Sequence, residues 1–157
     1  MPERQLNPAY VEGVKGVLKT APFFNLVSLE LEDLSPGKAV FKIAAQNKHM
    51  NPFHRVHGGV FATIIDATTF WAIYSQVDDG LPMTTVELKI NYLAPTVEGK
   101  TMIAYGNAVK VGKTLGVGEA RLEEAETGRL IGFGTATCTV IPPPLPKALA
   151  ELPAKFL

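Results

Sequence analysis

The feature that most constrains this chain is a long apolar segment, residues 58–77, with the sequence GGVFATIIDATTFWAIYSQV. Its apolar side chains occur on all sides of a helical projection, which is typical of a helix that is buried in a core or spans a membrane. The segment is long enough for a span, but it contains Asp66 and three threonines. Because a carboxylate is costly inside a bilayer, and strand patterns flank the segment, we expect a core helix wrapped by a sheet.

Strand patterns precede and follow this segment. Residues 83–93 alternate between apolar and polar side chains, and Val86 shares the apolar parity with Leu88. Residues 26–34 are short and mixed, and clearer strands are expected over residues 38–45, 83–93, 101–111, 115–123 and 130–141. The fold class is therefore α+β, a long central helix wrapped by a curved antiparallel sheet of five or six strands. One helix covers only one face of such a sheet. The other face and the edge strands need cover as well, which favours an oligomer.

The composition indicates one globular domain over residues 1–157. Hydrophobic residues make up 46% and charged residues 19%, with 15 basic and 15 acidic side chains, so a nucleic-acid partner is not expected. Within the domain, residues 1–20 hold an N-terminal helix that begins at Pro8 after the cap residue Asn7, and residues 142–157 form a proline-rich tail. The first ten residues lack the apolar region of a signal peptide, which predicts a cytoplasmic protein.

Cys138 is the only cysteine, so no internal disulfide forms and a reducing compartment fits. In the run GTATCTVI, Cys138 alternates with threonines and lies on the same face of the strand as Ala136 and Val140. This pattern predicts a small buried side chain on the inner face of a strand rather than a nucleophile.

Asp66 is the first candidate for chemistry, because it lies in the middle of the apolar helix. A charge there is costly unless it is paired or opens to a cleft. Two interpretations remain open at this point. Asp66 is either a structural carboxylate that a backbone group or hydroxyl satisfies, or a general base or nucleophile at the bottom of a cleft.

His57, Gly58 and Gly59 open the same helix. The first backbone N–H groups of a helix have no internal partner and lie at the positive end of its dipole. Glycine lets a ligand approach that backbone closely, so this start could hold a carbonyl oxygen as it becomes an oxyanion. A plain glycine-rich helix start is the alternative.

The spacing of these two features favours a dimer. Gly58 and Asp66 are separated by eight residues, which is about 12 Å along a helix axis. One helix can hardly supply both groups to one carbonyl, but two antiparallel helices from two subunits can. If the two groups act together, a twofold dimer with two composite sites is expected.

Polar residues elsewhere give further candidates. Asn51 and Arg55 lie in the loop before the helix, and Asn51 could orient a water or a carbonyl. The histidines of this region, His49, His54 and His57, are too loosely spaced to favour a metal site. The VGKT turn places Lys110, Lys113 and Thr114 where they could meet the phosphates of a nucleotide, although an ordinary solvated hairpin turn is the favoured interpretation.

The order of Asn51, His57, Gly58, Gly59 and Asp66 resembles the PaaI-like branch of the hotdog-fold thioesterases, in the superfamily of 4-hydroxybenzoyl-CoA thioesterase. The downstream runs TTVELKINYLAP, VKVGKT and GFGTATCTVI are also similar to that branch, and the match covers roughly residues 40–141.

This resemblance implies a hotdog fold, a homodimer with composite sites that often forms a homotetramer, and a small-to-medium acyl- or aryl-CoA substrate. Asp66 would be the general base or nucleophile, and the Gly58 N–H would polarise the thioester carbonyl. Asn51 and His57 would position the carbonyl and the water, with a hydroxyl at Thr85 assisting. Neither a metal nor another cofactor is implied. Residues expected to contact CoA are Gly59, Arg55, Lys110, Lys113 and Thr114.

Two positions depart from the family pattern. His54 stands where the family often has glycine, which could reshape the loop or the acyl pocket. Thr85 falls among the polar positions of its strand, so it reaches the site only near a strand end or a bulge. Thr84 falls among the apolar, inward-facing positions and is better placed.

Two other functions remain compatible with the sequence. Hotdog domains also serve as non-catalytic acyl-CoA binding modules, but that role usually needs an output domain, and residues 1–36 are too short for a DNA-binding one. A hotdog dehydratase would pair an aspartate with a histidine in an arrangement that this chain lacks. Because fold does not fix function, thioester hydrolysis rests here on resemblance.

Overall fold

Six strands form one antiparallel sheet in the computed structural model, which describes residues 4–157. The spatial order is β1-β2-β4-β5-β6-β3, so β1 and β3 are the edges. The strands are β1 Glu30–Ser35, β2 Lys38–Ala44, β3 Met83–Tyr92, β4 Thr101–Val111, β5 Leu115–Glu124 and β6 Arg129–Val140. The predicted strands are confirmed to within a residue at each end, and β1 overlaps the mixed segment 26–34 and extends one residue beyond it.

One long helix, α3, crosses the inner face of this sheet and contacts all six strands. The helices are α1 Pro8–Thr20, α2 Pro22–Leu26, α3 Gly58–Tyr74 and α4 Lys147–Ala150. The predicted core helix is therefore confirmed, although it ends three residues earlier than residue 77. Asn7 caps α1 by accepting a hydrogen bond from the Ala9 N–H at 3.0 Å, as expected.

Residues 1–3 lie outside the described residues. Two predictions, the N-terminal segment 1–20 with its helix and the lack of a signal peptide, fall partly on these positions. Within residues 4–157, no helix combines the length and the hydropathy that crossing a bilayer requires.

Glycines on the inner face of the sheet let α3 lie against the strands. A Cβ atom at Gly106 of β4 would stand 2.7 Å from the Thr68 carbonyl oxygen of α3. At Gly134 of β6 it would stand 2.7 Å from the Ile65 side chain. Gly118 of β5 is similarly close to Thr69. These distances are shorter than side chains tolerate, so the position of α3 depends on this glycine seam, Gly106, Gly118 and Gly134.

A β-bulge at Val86 changes which face of β3 points inward. Thr85 pairs with Cys138, and Glu87 pairs with the next residue of β6, so Val86 is the extra residue. Val86 is 56% exposed, whereas Thr85 is half-buried. Two predictions are therefore wrong: that Val86 points inward, and that Thr84 is better placed than Thr85 to reach the site. Both assumed an unbroken alternation along β3.

The C-terminal segment is packed against the end of α3. The side chain of Lys155 is buried, and its Nζ donates hydrogen bonds to the carbonyl oxygens of Tyr74 at 3.1 Å and Val77 at 3.0 Å. A cation near the last carbonyls of a helix is favourable. The proline-rich tail thus covers the C-terminal end of the central helix.

Replacing Gly106 with alanine tests the glycine seam. We expect Gly106→Ala to lower the free energy of unfolding by about 1–3 kcal/mol, because the new methyl group overpacks the contact with Thr68. Gly16→Ala is the matched control: its Cβ would meet no atom within 4 Å, and alanine stabilises a helix interior by about 0.5–1 kcal/mol. Urea unfolding of both variants measures the difference. Equal effects would contradict the proposed role of the seam.

Candidate active site

Asp66 lies on the one face of α3 that the sheet leaves uncovered. Side chains with remaining solvent exposure recur along the helix three and four residues apart, and the others in its middle are buried. The members of this uncovered face are Gly59, Ala62, Thr63, Asp66, Ala67 and Phe70. Several of them are small, which leaves space above Asp66.

Thr85 holds the Asp66 carboxyl group across the gap between β3 and α3. The Thr85 hydroxyl donates a hydrogen bond to Asp66 Oδ1 at 3.0 Å. None of the described residues donates a hydrogen bond to Oδ2. Burial raises the pKa of Asp66, and the bond from Thr85 acts in the opposite direction. The result is a carboxylate that is more basic than a free aspartate, with one oxygen available to a ligand.

Cys138 lies behind Thr85 and completes the inner side of the site. Its Sγ is 3.7 Å from the Thr85 hydroxyl oxygen, and the side chain is fully buried. Burial raises the pKa of the thiol. The interpretation of Cys138 as a buried small side chain is confirmed, because a protonated thiol without solvent access is a poor nucleophile.

A cavity of about 540 Å³ opens above Asp66 and Thr85. It lies between the uncovered face of α3 and the two N-terminal helices. This Asp66 cavity is lined by Leu18, Phe23, Phe24, Leu29, Ala62, Thr63, Asp66, Ala67, Phe70, Trp71, Thr85 and Leu88. An apolar pocket with a few converging polar groups is the usual form of a small-molecule site.

The start of α3 presents one backbone donor. His57 is the N-cap, and its Nδ1 accepts a hydrogen bond from the Gly59 N–H at 2.8 Å. This bond occupies the N–H of Gly59, a residue that the family resemblance implies as a CoA contact. The Gly58 N–H has no acceptor among residues 4–157. The Gly58 N–H is therefore free to donate a hydrogen bond to a ligand oxygen at this helix end.

Tyr92 is a neighbour of this helix start that the sequence reasoning missed. A Cβ atom at Gly58 would stand 3.1 Å from Cε1 of the Tyr92 ring. The ring also packs beside Phe61, with centroids 6.0 Å apart. Tyr92 closes β3 in the INYLAP run, and only its position at that strand end could have indicated the contact.

The loop before α3 is organised by Asn51. Its Oδ1 accepts hydrogen bonds from the backbone N–H groups of Phe53 at 2.9 Å and Arg55 at 3.1 Å. His54 in this loop has a φ of 56°, in the left-handed region that favours glycine. This left-handed backbone conformation explains the glycine that the family often has at this position. Histidine adopts the same conformation here. Asn51 therefore orders the loop through its side-chain oxygen, and its expected role in positioning a water or a carbonyl stays a prediction.

His49 fastens the same loop to the N-terminal helices. Its Nδ1 accepts a hydrogen bond from the Gln46 N–H at 3.0 Å, and its Nε2 lies 3.0 Å from the carbonyl oxygen of Val27. With both nitrogens bonded to backbone, the neutral ring protonated at Nε2 fits the site. Burial lowers the pKa of His49.

The structure does not bring the candidates of the VGKT turn to Asp66. Lys110, Lys113 and Thr114 are exposed at the β4–β5 hairpin, and none of them lines the Asp66 cavity. Gly116, just after this turn, packs on Ile73 near the C-terminal end of α3. Within one subunit, these residues are thus at the opposite end of α3 from Gly58. Arg55 is exposed in the loop before α3.

Comparison with known proteins decides the family. The model of the thioesterase superfamily matches residues 53–131. The chain belongs to the thioesterase superfamily. Human acyl-coenzyme A thioesterase 13 is 28% identical over 127 residues, which are 80% of this chain and 90% of the human protein.

Solved structures agree with this membership. The zebrafish thioesterase superfamily member 2 has a TM-score of 0.75 at 26% identity, covering 83% of this chain and 98% of its own. The E. coli PaaI protein has a TM-score of 0.77 at 18% identity, covering 86% and 95%, a likeness that shows the fold. The PaaI-like hotdog fold is therefore confirmed, and the chain is a thioester hydrolase.

Replacing Thr85 tests its contact with Asp66. We expect Thr85→Ala to lower kcat for thioester hydrolysis by about tenfold or more, because a hydrogen bond to a charged group contributes about 1.5–3 kcal/mol. Thr85→Ser keeps the hydroxyl and should retain most of the rate. Thr84→Ala, at the exposed neighbouring position, is the matched control and should not change kcat. A larger loss at Thr84 than at Thr85 would contradict the assignment.

Asp66→Asn tests whether the carboxylate is held at a cost to stability. Burial raises its pKa in the folded state, so its contribution to stability is present below the pKa of the unfolded chain, near 3.8, and is lost as pH rises through the folded pKa. At pH 7 the asparagine variant should therefore be more stable than the wild type, and the difference should shrink near pH 4. Urea midpoints at both pH values measure this, and Asp33→Asn, at an exposed position of β1, is the control. A variant less stable at pH 7 would contradict it.

Proposed function

We propose that this protein hydrolyses small-to-medium acyl-CoA thioesters, with Asp66 as the group that drives the attack on the carbonyl. The observation that carries the proposal is the Asp66 carboxylate, held by Thr85 at 3.0 Å in an apolar cavity of about 540 Å³. Coenzyme A as the thiol component is supported by the name of the human relative, an acyl-coenzyme A thioesterase.

Asp66 Oδ2 is the reacting oxygen in this proposal, since Thr85 occupies Oδ1. As general base, it takes a proton from water, the oxygen of that water bonds to the carbonyl carbon, and the C–S bond breaks. The proton then passes to the CoA sulfur, giving the free acid and CoA. As nucleophile, Oδ2 bonds to the carbonyl carbon, CoA leaves, and water hydrolyses the mixed anhydride. The raised pKa supports the first route, because it increases basicity.

The Gly58 N–H polarises the carbonyl from a second subunit. Eight residues separate it from Asp66, about 12 Å along α3, so one chain does not bring both groups to one carbonyl. Two features support a twofold dimer: β3 has an unpaired outer edge, and the face of α3 that carries Asp66 is not covered by the sheet. Each site then combines Asp66 of one subunit with Gly58 of the partner subunit.

Further assembly and substrate contacts are part of the same proposal. The outer face of the sheet exposes Tyr105, Leu115 and Val117, which supports a homotetramer. His57 and Asn51 act by shaping the start of α3, which leaves the Gly58 N–H free for the carbonyl oxygen. Exposed cations remain the candidates for the CoA phosphates: Arg55, Lys110 and Lys113, with the Thr114 hydroxyl. The buried free thiol of Cys138 supports a reducing, cytoplasmic location.

Removing the carboxylate tests the proposed activity. We expect wild-type protein to release CoA from acyl-CoA thioesters, and Asp66→Ala to lower kcat by about 10²–10⁴, the contribution of a positioned acid–base group. Thiol release measured with a chromogenic disulfide reports the rate. Asp33→Ala, which removes an exposed carboxylate on β1, should leave the rate unchanged. Saturable binding of CoA esters without release would instead indicate a binding module, with Asp66 as a structural carboxylate.

Proline at position 58 tests the backbone donor without removing a side chain. Gly58 is the first residue of α3, where proline is well tolerated, and His57 has the extended backbone that precedes proline. We expect Gly58→Pro to lower kcat by about 10²–10³, as for a lost oxyanion donor. Gly58→Ala is the control for the contact with Tyr92, since it keeps the N–H.

Mixing two inactive variants tests the composite site. Asp66→Ala and Gly58→Pro subunits, refolded together in equal amounts, form heterodimers in which one site has both groups intact. We expect about a quarter of the wild-type activity to return, since half of the dimers are mixed and each has one working site. If both groups came from one chain, mixing would restore nothing.

A further inference from the structure

We propose that Glu124 is a positioning residue for thioester hydrolysis, acting through the Thr96 hydroxyl on the loop that carries the Gly58 N–H. Glu124 is the last residue of β5 and does not line the Asp66 cavity, so it acts without touching the reacting atoms. This inference rests on the proposed function, because it assumes that the Gly58 N–H binds the thioester oxygen.

Glu124 is a buried carboxylate whose charge is compensated by three donors. The residue is 5% exposed. Its oxygens accept hydrogen bonds from the Thr96 hydroxyl at 2.8 Å, the Thr127 hydroxyl at 3.2 Å and the Arg129 guanidinium at 3.2 Å. The bond from Thr96 is the largest of the causes that lower the pKa of Glu124, whereas burial acts in the opposite direction. Glu124 is therefore a paired anion at neutral pH, as the burial of a charge requires.

Two of these contacts close the β5–β6 hairpin, and the third leaves it. Thr127 lies in the hairpin turn and Arg129 begins β6, so their bonds to Glu124 are local. Thr96 lies 28 residues before Glu124, in the connection between β3 and β4. Arg129 also donates a hydrogen bond to the Pro95 carbonyl oxygen in that connection, at 2.8 Å. The ion pair thus fixes a segment that the hairpin itself does not need.

Side chains hold the part of this connection that contains Thr96. Its first residues, 93–94, are anchored by their backbone N–H groups, which donate to the Ile131 carbonyl oxygen at 2.9 and 3.2 Å. Beyond this point, Arg129 binds the carbonyl oxygen that precedes Thr96, and the Thr96 hydroxyl binds Glu124. The position of Thr96 therefore depends on this ion pair.

The same connection contacts the start of α3 at two points. The Val56 N–H donates to the Thr96 carbonyl oxygen at 3.0 Å, and the N-cap His57 follows Val56 directly. Tyr92, the residue before the connection, packs its ring against Gly58. The segment held by Glu124 thus lies beside Gly58 and the residues immediately before it.

A displaced Thr96 would move the backbone donor. Val56 is two residues before Gly58, so a shift of the Thr96 carbonyl group is passed to Gly58 through one hydrogen bond and a short stretch of backbone. An oxyanion donor acts over a narrow range of distance, and a misplacement of about 1 Å can cost about 10² in rate. Glu124 therefore keeps the donor in place while it contributes no atom to the site.

Thr96→Val breaks the link to Glu124 and keeps the shape of the side chain. We expect it to lower kcat by about tenfold and to change KM by less than about twofold, because the donor acts on the transition state. Thr96→Ser keeps the hydroxyl and should retain most of the rate. Thr127→Val is the matched control: it removes the other hydroxyl that donates to Glu124, and kcat should stay within about twofold of wild type. Glu124→Gln should also lower kcat, and it serves if Thr96→Val does not fold.

Mixing with other variants tests which half of the composite site Thr96 serves. In a mixed dimer of Thr96→Val with Asp66→Ala, one site combines an intact Asp66 with the Gly58 of a subunit whose Thr96 and Glu124 are intact. We expect about a quarter of the wild-type activity to return, since half of the dimers are mixed and each has one working site. Mixing with Gly58→Pro should give no more than dilution, because both changes damage the same half. A subunit that is merely destabilised would not distinguish the two partners.

The outcomes separate this inference from the proposed function. If wild type releases no CoA from acyl-CoA thioesters, the proposed function fails, and this inference fails with it. If wild type is active but Thr96→Val and Glu124→Gln keep its kcat, or Thr127→Val loses as much as Thr96→Val, the inference alone is overturned. Recovery with Gly58→Pro instead of Asp66→Ala would overturn it as well. A loss of kcat at Thr96 that Asp66→Ala subunits alone complement supports it.

Discussion

The close contact between α3 and the sheet determines most of this structure. Gly106 and Gly134 lack the side chains that would collide with the helix, so α3 lies directly on the strands. A helix in this position has its apolar side chains covered on all faces but one. That remaining face carries Asp66 and small neighbours, and the N-terminal helices close over it with a cavity between. The packing that stabilises the fold thus also leaves the cavity above Asp66.

The proposed reacting group, Asp66, depends on an irregularity in the sheet. Without the bulge at Val86, Thr85 would point to the outer face and Asp66 would lose its hydrogen bond. The bulge lies at the edge strand, where the ladder is interrupted at little cost to the rest of the sheet. His57 and Asn51 act in a comparable way at the other end, since their hydrogen bonds shape the helix start that exposes the Gly58 N–H. Much of the site therefore depends on backbone conformations, and hydrogen bonds from side chains stabilise some of them.

Sequence patterns predicted the parts of the molecule that depend on local periodicity. The apolar run of α3 and the alternation in β4 have a regular repeat, and both elements were found within a few residues. The bulge at Val86 breaks the repeat by one residue, so the alternation wrongly placed Val86 inward and wrongly favoured Thr84 over Thr85. The short helix α2 has too few residues for a periodic signal. The glycine seam arises from contacts between distant segments, which no local pattern contains.

The most direct measurement is a crystal structure of the Asp66→Asn variant with octanoyl-CoA. The account predicts a dimer in which the thioester carbonyl carbon lies beside residue 66 and its oxygen accepts a hydrogen bond from Gly58 of the partner subunit. The octanoyl chain should lie in the cavity above Asp66, between α2 and α3. A thioester bound away from residue 66, or an acyl chain outside that cavity, would contradict the account.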